Sequence, residues 1–454
     1  MERTHTSTNR TTRRWSMGLR SAATLCVLAG AAVANAGTTF TAIAFSGDNA
    51  GFAGVNFESF AMNNHRGPII ASNGEVSFVA SLVGEGITTA NDSALYVSVN
   101  GFNELKVQKG QTFGDMTVFD FNSHNRSATT WAAVVVPSGI NDTLIAQSSG
   151  GINVLLQSSQ NWNGHTFDTI EIPAVNDAGQ IATVVRTTDG VVQRRIARAE
   201  SANSAMTELA AGGDPVNGLA GAQVTSFSSN PVGMNDAGRI ATIALLENQS
   251  GQAVITGGAN DQAIVTIDDS GVSLVSQTGT RAPNFITGID LVDFGYDSFA
   301  GQPVDVGASG GVIFSGTVNG LGITENDNTA IFRSAGGSAA RVVRESSPAP
   351  GIGVGVTFTG FPTSVHPAPF HTNAGHIFFM PGLGGAGSGN SLFFGDASSL
   401  APIMYTGLPA GLGGDIVISE IVAFDANNNN QAIILAKVSG TGITTANDEV
   451  LYFF

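Results

Sequence analysis

The stretch Gly86-Ile-Thr-Thr-Ala-Asn-Asp-Ser-Ala-Leu-Tyr96 returns almost unchanged as Gly442-Ile-Thr-Thr-Ala-Asn-Asp-Glu-Val-Leu-Tyr452. A third copy of equal length, Gly322-Ile-Thr-Glu-Asn-Asp-Asn-Thr-Ala-Ile-Phe332, has its Asn and Asp reordered. Each copy lies 12 residues after a turn residue that opens an apolar strand: Gly74, Gly310 and Asn430. A loop and strand that recur at fixed spacing are copies of one supersecondary unit, so the chain must fold as an array or a ring of that unit.

The turn-plus-strand pattern alone occurs seven times, 52 to 72 residues apart, opening at Gly74, Ser127, Gly179, Gly238, Gly310, Gly375 and Asn430. The copies at Ser127 and Asn430 are the most degenerate. A second element, an apolar strand followed by a Gly/Pro-rich connection and an aromatic strand, also occurs seven times, and its first copy, Ile43 to Phe60, precedes the first turn-plus-strand copy. The chain therefore begins with the second half of a unit and ends, at Leu451-Tyr-Phe-Phe454, with the first half of one. A linear solenoid would leave both halves as open edges; a ring joins them.

Each unit reads as four short antiparallel strands, and four strands in roughly 60 residues make a propeller blade. The second strands, such as Val76 to Leu82, are apolar on both alternating faces, as strands covered on two sides are. Glycine at 58 of 454 residues and only 12% charged residues suit short strands joined by tight turns. The predicted fold is an all-β, seven-bladed β-propeller of four-stranded antiparallel blades over 37–454, closed by pairing the strand near Thr41 to Phe45 with the blade that ends at Phe454.

Residues 1–36 read as a signal peptide: arginines to Arg20, an apolar run from Ser21 to Val33, then Ala34-Asn35-Ala36 before a cut near Ala36. The protein is expected to be secreted, extracellular or periplasmic. Cleavage would remove Cys26, the one cysteine, so no disulfide would staple the ring. It would leave 14 basic and 34 acidic residues, a net charge of −20. That charge disfavours nucleic acid and anionic membranes as partners, and no later apolar run is long enough for a membrane span.

Three elements, Pro173-Ala-Val-Asn-Asp-Ala-Gly179, Gly84-Glu-Gly-Ile-Thr-Thr-Ala-Asn-Asp92 and Pro348-Ala-Pro-Gly351, resemble the repeats of a family of uncharacterised bacterial secreted proteins. The resemblance covers most of residues 40–454. It implies the repeat fold and carries no activity, cofactor or partner with it. Many similar proteins end in a membrane-sorting tail, which this sequence lacks, so release from the cell is the expectation.

In a four-stranded meander the Asn-Asp loops fall on the same face of the ring as the blade-to-blade connections. Asp92, Asp142, Asp261, Asp327 and Asp448 are the candidate ligand-face residues, and a ring of carboxylates there would suit Ca2+ or a basic ligand. One Asp per loop gives calcium too few ligands, so each is expected first to fold its own loop. Asp425-Ala-Asn-Asn-Asn-Asn430 has the oxygen spacing of a calcium loop without its glycine or late Glu, and reads as a hairpin turn. His371 and His376 bracket the turn Thr372–Gly375 and are expected as cross-strand neighbours, with His366 nearby. The three could hold a transition metal, but no carboxylate or thiol completes the set, and no cofactor is predicted.

No nucleophile elbow, zinc-protease motif or phosphate loop is present. The expected function is non-catalytic binding of an extracellular glycan, another polymer or a protein through the Asn-Asp loop face. The alternatives are an extracellular hydrolase or lyase with a central-cavity site, and a structural envelope protein. Carboxylates converging with a His in a pocket would favour an enzyme; an apolar face would favour binding.

Overall fold

Seven antiparallel sheets surround one axis, and among the described residues every regular element is a strand. The computed structural model describes residues 40–454 except 61–66, 100, 114, 138–141, 149–150, 189–192, 295–303, 336–337, 362–368 and 397. The expected signal peptide and His366 lie outside the described residues.

Blade 1 shows the plan. Its inner strand is split into Val55–Ser59 and Ile69–Ile70, both paired with Val76–Gly84; Ser93–Val99 and the outer Phe102–Gln108 follow. Blade 5 repeats it with Ile289–Asp293 and Val304–Val306, then Val312–Gly320, Thr329–Ala335 and Ser338–Arg344. Blade 7 is composite: Val417–Ala426, Ala432–Ser439 and Glu449–Phe453 come from the end of the chain, and its outer strand is Thr41–Phe45. Thr41 pairs with Phe453 and Phe45 with Val450, so the two half-units complete one blade as the offset of the repeats predicts.

Apolar packing lies between the blades. One buried cluster joins Ile433 and Leu435 of blade 7 to Phe57 and Phe78 of blade 1. Another joins Ala182 and Val184 of blade 3 to Phe227 and Ile240 of blade 4, and the remaining five junctions have clusters of their own. Second strands such as Ile181–Thr187 supply both sides of their blades, which is why they lack polar alternation. Each fully buried Val, Ile or Phe contributes roughly 1.5–3 kcal/mol.

Polar staples cross the same junctions. Inner strands bulge near their middle, for example between Phe57 and Ser59, and a bulge leaves an amide without a ladder partner. The preceding blade supplies the acceptor. Phe60 N–H donates to the Glu449 carboxylate at 2.6 Å, Ile170 N–H to Asp142 at 3.2 Å, Phe294 N–H to Gln262 Oε1 at 3.0 Å and Ile421 N–H to Asn390 Oδ1 at 3.0 Å.

Six of the turns after the inner strands share one geometry: the first residue's amide donates to the fifth residue's carbonyl, as in Ala71 to Glu75 and Asn176 to Gln180. The fourth residue has positive φ, from Gly74 at 82° to Asn430 at 61°. Blade 2 departs. Its turn, Ser127 to Thr130, is one residue shorter and its strand begins at Trp131, so Ser127 does not occupy the glycine position that the repeat pattern assigns to it.

Glycine is required where the second strand enters the Asn-Asp loop. Gly84 and Gly320 have φ of 136° and 142°, and a Cβ on either would overlap the carbonyl oxygen of Gly54 or Gly288 in the connection alongside. Gly322, at φ 75°, has nothing within 4 Å of such a Cβ. Gly320→Ala is therefore expected to destabilise by several kcal/mol and Gly322→Ala by about 1–2 kcal/mol. Equilibrium denaturation of the two variants checks this, and equal losses would contradict it.

Candidate interaction face

Strand direction places the Asn-Asp loops and the blade-to-blade connections together on one face, and the turns after the inner strands on the other. In the copy at Gly86, Asn91 Oδ1 accepts the Thr88 amide at 2.7 Å, and in the copy at Gly442, Asn447 Oδ1 accepts that of Thr444 at 2.6 Å. The reordered third copy puts Asp327 in this position. Its carboxylate accepts the Thr324 amide at 2.6 Å and pairs with Arg344. These hydrogen bonds, the Thr324 amide first, hold the Asp327 carboxyl below the usual range.

The other four candidate aspartates differ from one another. Asp92 forms an ion pair with Lys109 at 2.9 Å, and Asp261 accepts the Gly258 amide at 2.7 Å. Asp142 is buried, accepts the Asn122 amide group at 2.5 Å and the Ile170 amide across the junction, and is shifted upward by burial. Asp448 contributes its backbone carbonyl to Val438, while its neighbour Glu449 makes the junction staple. Among the described residues no group of three or more His, Cys, Asp or Glu side chains is placed to hold a metal ion.

The opposite face is closed by a girdle of turn-to-turn hydrogen bonds, whose signal in the sequence is the asparagine that recurs at one turn position as Asn176, Asn235 and Asn427. Asn176 Nδ2 donates to Asn235 O at 2.9 Å, Asn235 Nδ2 to Gly307 O at 3.1 Å and Asn427 Nδ2 to Ala71 O at 2.8 Å. Asn73 reaches Ala128, the Ala128 amide reaches Asp177, the Ala308 amide reaches Asn373, and the Asn373 amide reaches Asn428. All seven junctions are bridged in this way. The Asn427 to Asn430 turn is thus a hairpin whose first side chain also ties blade 7 to blade 1.

Inside the girdle lies an axial cavity of ≈ 120 Å³ that all seven blades line. Asp177, Asp236, Asp305, Asp425 and His371 contribute to its wall. Each of these carboxylates accepts an amide of an adjoining blade: Ala128, Asp177, His371 and Ile70 respectively. A His and carboxylates do meet at a pocket, but the carboxylates are engaged in holding the ring.

His371 and His376 are not direct partners. The register pairs His371 with Ile377, because the turn comprises the five residues 372–376. His371 packs beside Gly307 and Arg333 of blade 5, with both ring nitrogens buried and without a hydrogen-bond partner. His376 Nδ1 faces Asn430 of blade 7 at 3.3 Å.

Most exposed large apolar side chains occupy the Asn-Asp loop face. Leu321 is 76% exposed, Ile286 63% and Val354 100%, and Phe52, Val83, Phe119 and Val292 are also exposed in its connections, loop entries or strand starts. Phe102 and Val154 are elsewhere, at a turn of the opposite face and on an outer strand. Tyr96 and Tyr452 help to fix this face by donating to Ala50 O and Ala410 O in the connections, at 3.1 and 2.8 Å.

Burial, with Arg333 adding to it, lowers the His371 pKa to about 4. The unfolded chain takes up this proton near pH 6.5 and the folded one does not until about pH 4, so stability is lost as pH falls through that window. Glu171, pushed up to about 7 by burial, works in the opposite direction between about pH 4.5 and 7. The difference between wild type and His371→Leu isolates the histidine: the variant should gain on the order of 3 kcal/mol relative to wild type between pH 7 and pH 4. Parallel stability curves would contradict this.

No curated protein matches the sequence. Among solved structures, a puromycin-hydrolyzing peptidase of Mycobacterium tuberculosis matches at 11% identity over 82% of this chain and 49% of that one, with a TM-score of 0.45. The propeller domain of the Trilobed protease from Pyrococcus furiosus matches at 8% over 85% and 93%, also at 0.45. An oligogalacturonate lyase from Vibrio parahaemolyticus matches at 10% over 91% and 96%, again at 0.45. The chain spans about half the length of the puromycin hydrolases it matches. These values carry no inference about activity. A family of unknown function, DUF7453, matches over residues 127–453, most of the chain, and the protein belongs to that family.

Proposed function

We propose that the protein is an exported, non-catalytic binding propeller that engages an extracellular protein partner through the Asn-Asp loop face. The concentration of exposed apolar side chains on that face carries this reading. Monomeric proteins seldom leave contiguous apolar groups uncovered, and the part of this face where such groups adjoin is at blade 5. Among the described residues the face offers phenylalanine but no exposed tryptophan or tyrosine platform of the kind that stacks on sugars, which favours a protein over a glycan. Leu321 and Ile286 belong to adjoining backbone, since the Leu321 amide donates to Gly288 O at 3.3 Å, so one partner segment can cover both.

The enzyme reading is the weaker one. Its pocket carboxylates are occupied by amides of adjoining blades, and the His371 ring has no carboxylate bonded to it. Burying one such aliphatic side chain in an interface contributes roughly 1.5–3 kcal/mol. Leu321→Asp, at an exposed loop position, should leave thermal unfolding unchanged and reduce by tenfold or more the capture of a protein partner from the medium in which the producing cells grow. Capture that is indifferent to Leu321→Asp and Ile286→Asp, or a turnover assay that depends on His371, would overturn the reading.

A further inference from the structure

Thirteen of the described residues are lysine or arginine, and ten of these form ion pairs. Among the described residues, Arg281, Arg333 and Arg341 have no carboxylate partner. Arg333 is used within the ring, donating to Gly375 O at 3.0 Å. The other two contact different parts of one residue, Phe285: Arg281 Nη2 donates to its backbone carbonyl at 2.6 Å, and the Arg341 guanidinium lies 4.5 Å from the centre of its ring. Arg344, already paired with Asp327, lies 5.3 Å from the same ring. Burial and Arg344 both disfavour the charge on Arg341. In a chain with 35 acidic and 19 basic residues, two arginines on one residue with no carboxylate partner among the described residues are not explained by scarcity of acids.

The surroundings indicate what would supply the missing anion. Phe285 is in the connection entering blade 5, next to Ile286, and Leu321 is bonded to the same connection. Among the described residues the outer strand Ser338–Arg344 has no strand beyond it in its sheet, whereas that of blade 4, Gly271–Gln277, is covered by Val216–Asn217. An open strand edge can pair with an extended backbone. The guanidinium of Arg341 covers the Phe285 ring, which is itself buried, so no aromatic face is left for a sugar.

We infer that Arg281 and Arg341, gathered around Phe285, form an anion subsite that takes an acidic side chain of an extended polypeptide whose apolar residues lie on Ile286 and Leu321. This deepens the binding reading above and rests on it. Guanidinium groups bind a carboxylate through paired hydrogen bonds, and the contact strengthens as the partner's apolar residues exclude water. Opposite charge sets which partner is admitted, and the apolar contact provides most of the affinity.

The probes are fluorescein-labelled Glu-Leu and Lys-Leu alternating octapeptides and polygalacturonate, titrated with the full chain by fluorescence anisotropy at low and high salt. The Glu-Leu peptide should bind, weaken with salt, and bind about tenfold less tightly to Arg341→Gln and to Arg281→Gln, with partial recovery in Arg341→Lys. Arg341→Glu should exchange its preference for the Lys-Leu peptide. Unchanged thermal unfolding shows that the variants fold. No binding of the Glu-Leu peptide, equal binding of both peptides, or binding indifferent to the arginine variants would overturn the subsite. Polygalacturonate binding that the arginine variants abolish, with the peptides silent, would place an acidic glycan there and overturn the polypeptide assignment. If Leu321→Asp abolishes partner capture while the arginine variants bind normally, the subsite falls and the apolar face stands; the reverse pattern removes the apolar face and leaves the subsite.

Discussion

The antiparallel pairing of Thr41–Phe45 with Glu449–Phe453 is the contact on which the rest of the molecule depends. It joins strands about 400 residues apart in sequence, so it forms only after a large loss of chain entropy. What it gains is larger than four rungs of ladder. It completes blade 7, and with it the apolar junction in which Ile433 and Leu435 meet Phe57 and Phe78. A chain that stopped short of this pairing would expose an inner face of blade 1 and an edge of blade 7 together.

Closure is reinforced at two levels along the axis. At mid-strand, Glu449 bonds the Phe60 amide that the bulge leaves free; at the turns, Asn427 and Asn429 bond Ala71 O and Ser72 O at 2.8 and 2.6 Å. The same kinds of contact recur between other blades, so the composite junction is built like the continuous ones. The connections on the opposite face are held more locally, by single tyrosine hydroxyls and by glycines that admit close backbone approach. That division leaves one face committed to the ring and the other able to present side chains.

The offset between the two repeated elements was enough to predict seven blades and the closing strand, because strand period and loop identity are local properties that survive divergence. The girdle was not legible in that way. Asn176, Asn235 and Asn427 recur at one turn position, which is the signal, but their acceptors are 59, 72 and 356 residues away. His371 and His376 were misplaced by one rung because the turn counts five residues rather than four. The shortened turn of blade 2 moved its strand for a similar reason. Leu321 and Ile286 look like ordinary strand-end residues in the sequence, and only the direction of the loops shows that nothing covers them. That Arg281 and Arg341 both reach Phe285, one at its carbonyl and one at its ring, is likewise invisible until the outer strand of blade 5 meets the connection.

A propeller whose axial mouth is ringed by its own asparagines and aspartates, each engaged with an adjoining blade, leaves the connections of the other face as its surface for contact. The proposed recognition therefore rests on ring closure, which fixes where those connections stand. Hydrogen exchange followed by mass spectrometry tests closure most directly. The account predicts that the amides of Thr41–Phe45 exchange as slowly as those of Glu449–Phe453 and lose protection together with them in denaturant; rapid exchange at Thr41–Phe45 while Glu449–Phe453 stays protected would contradict it.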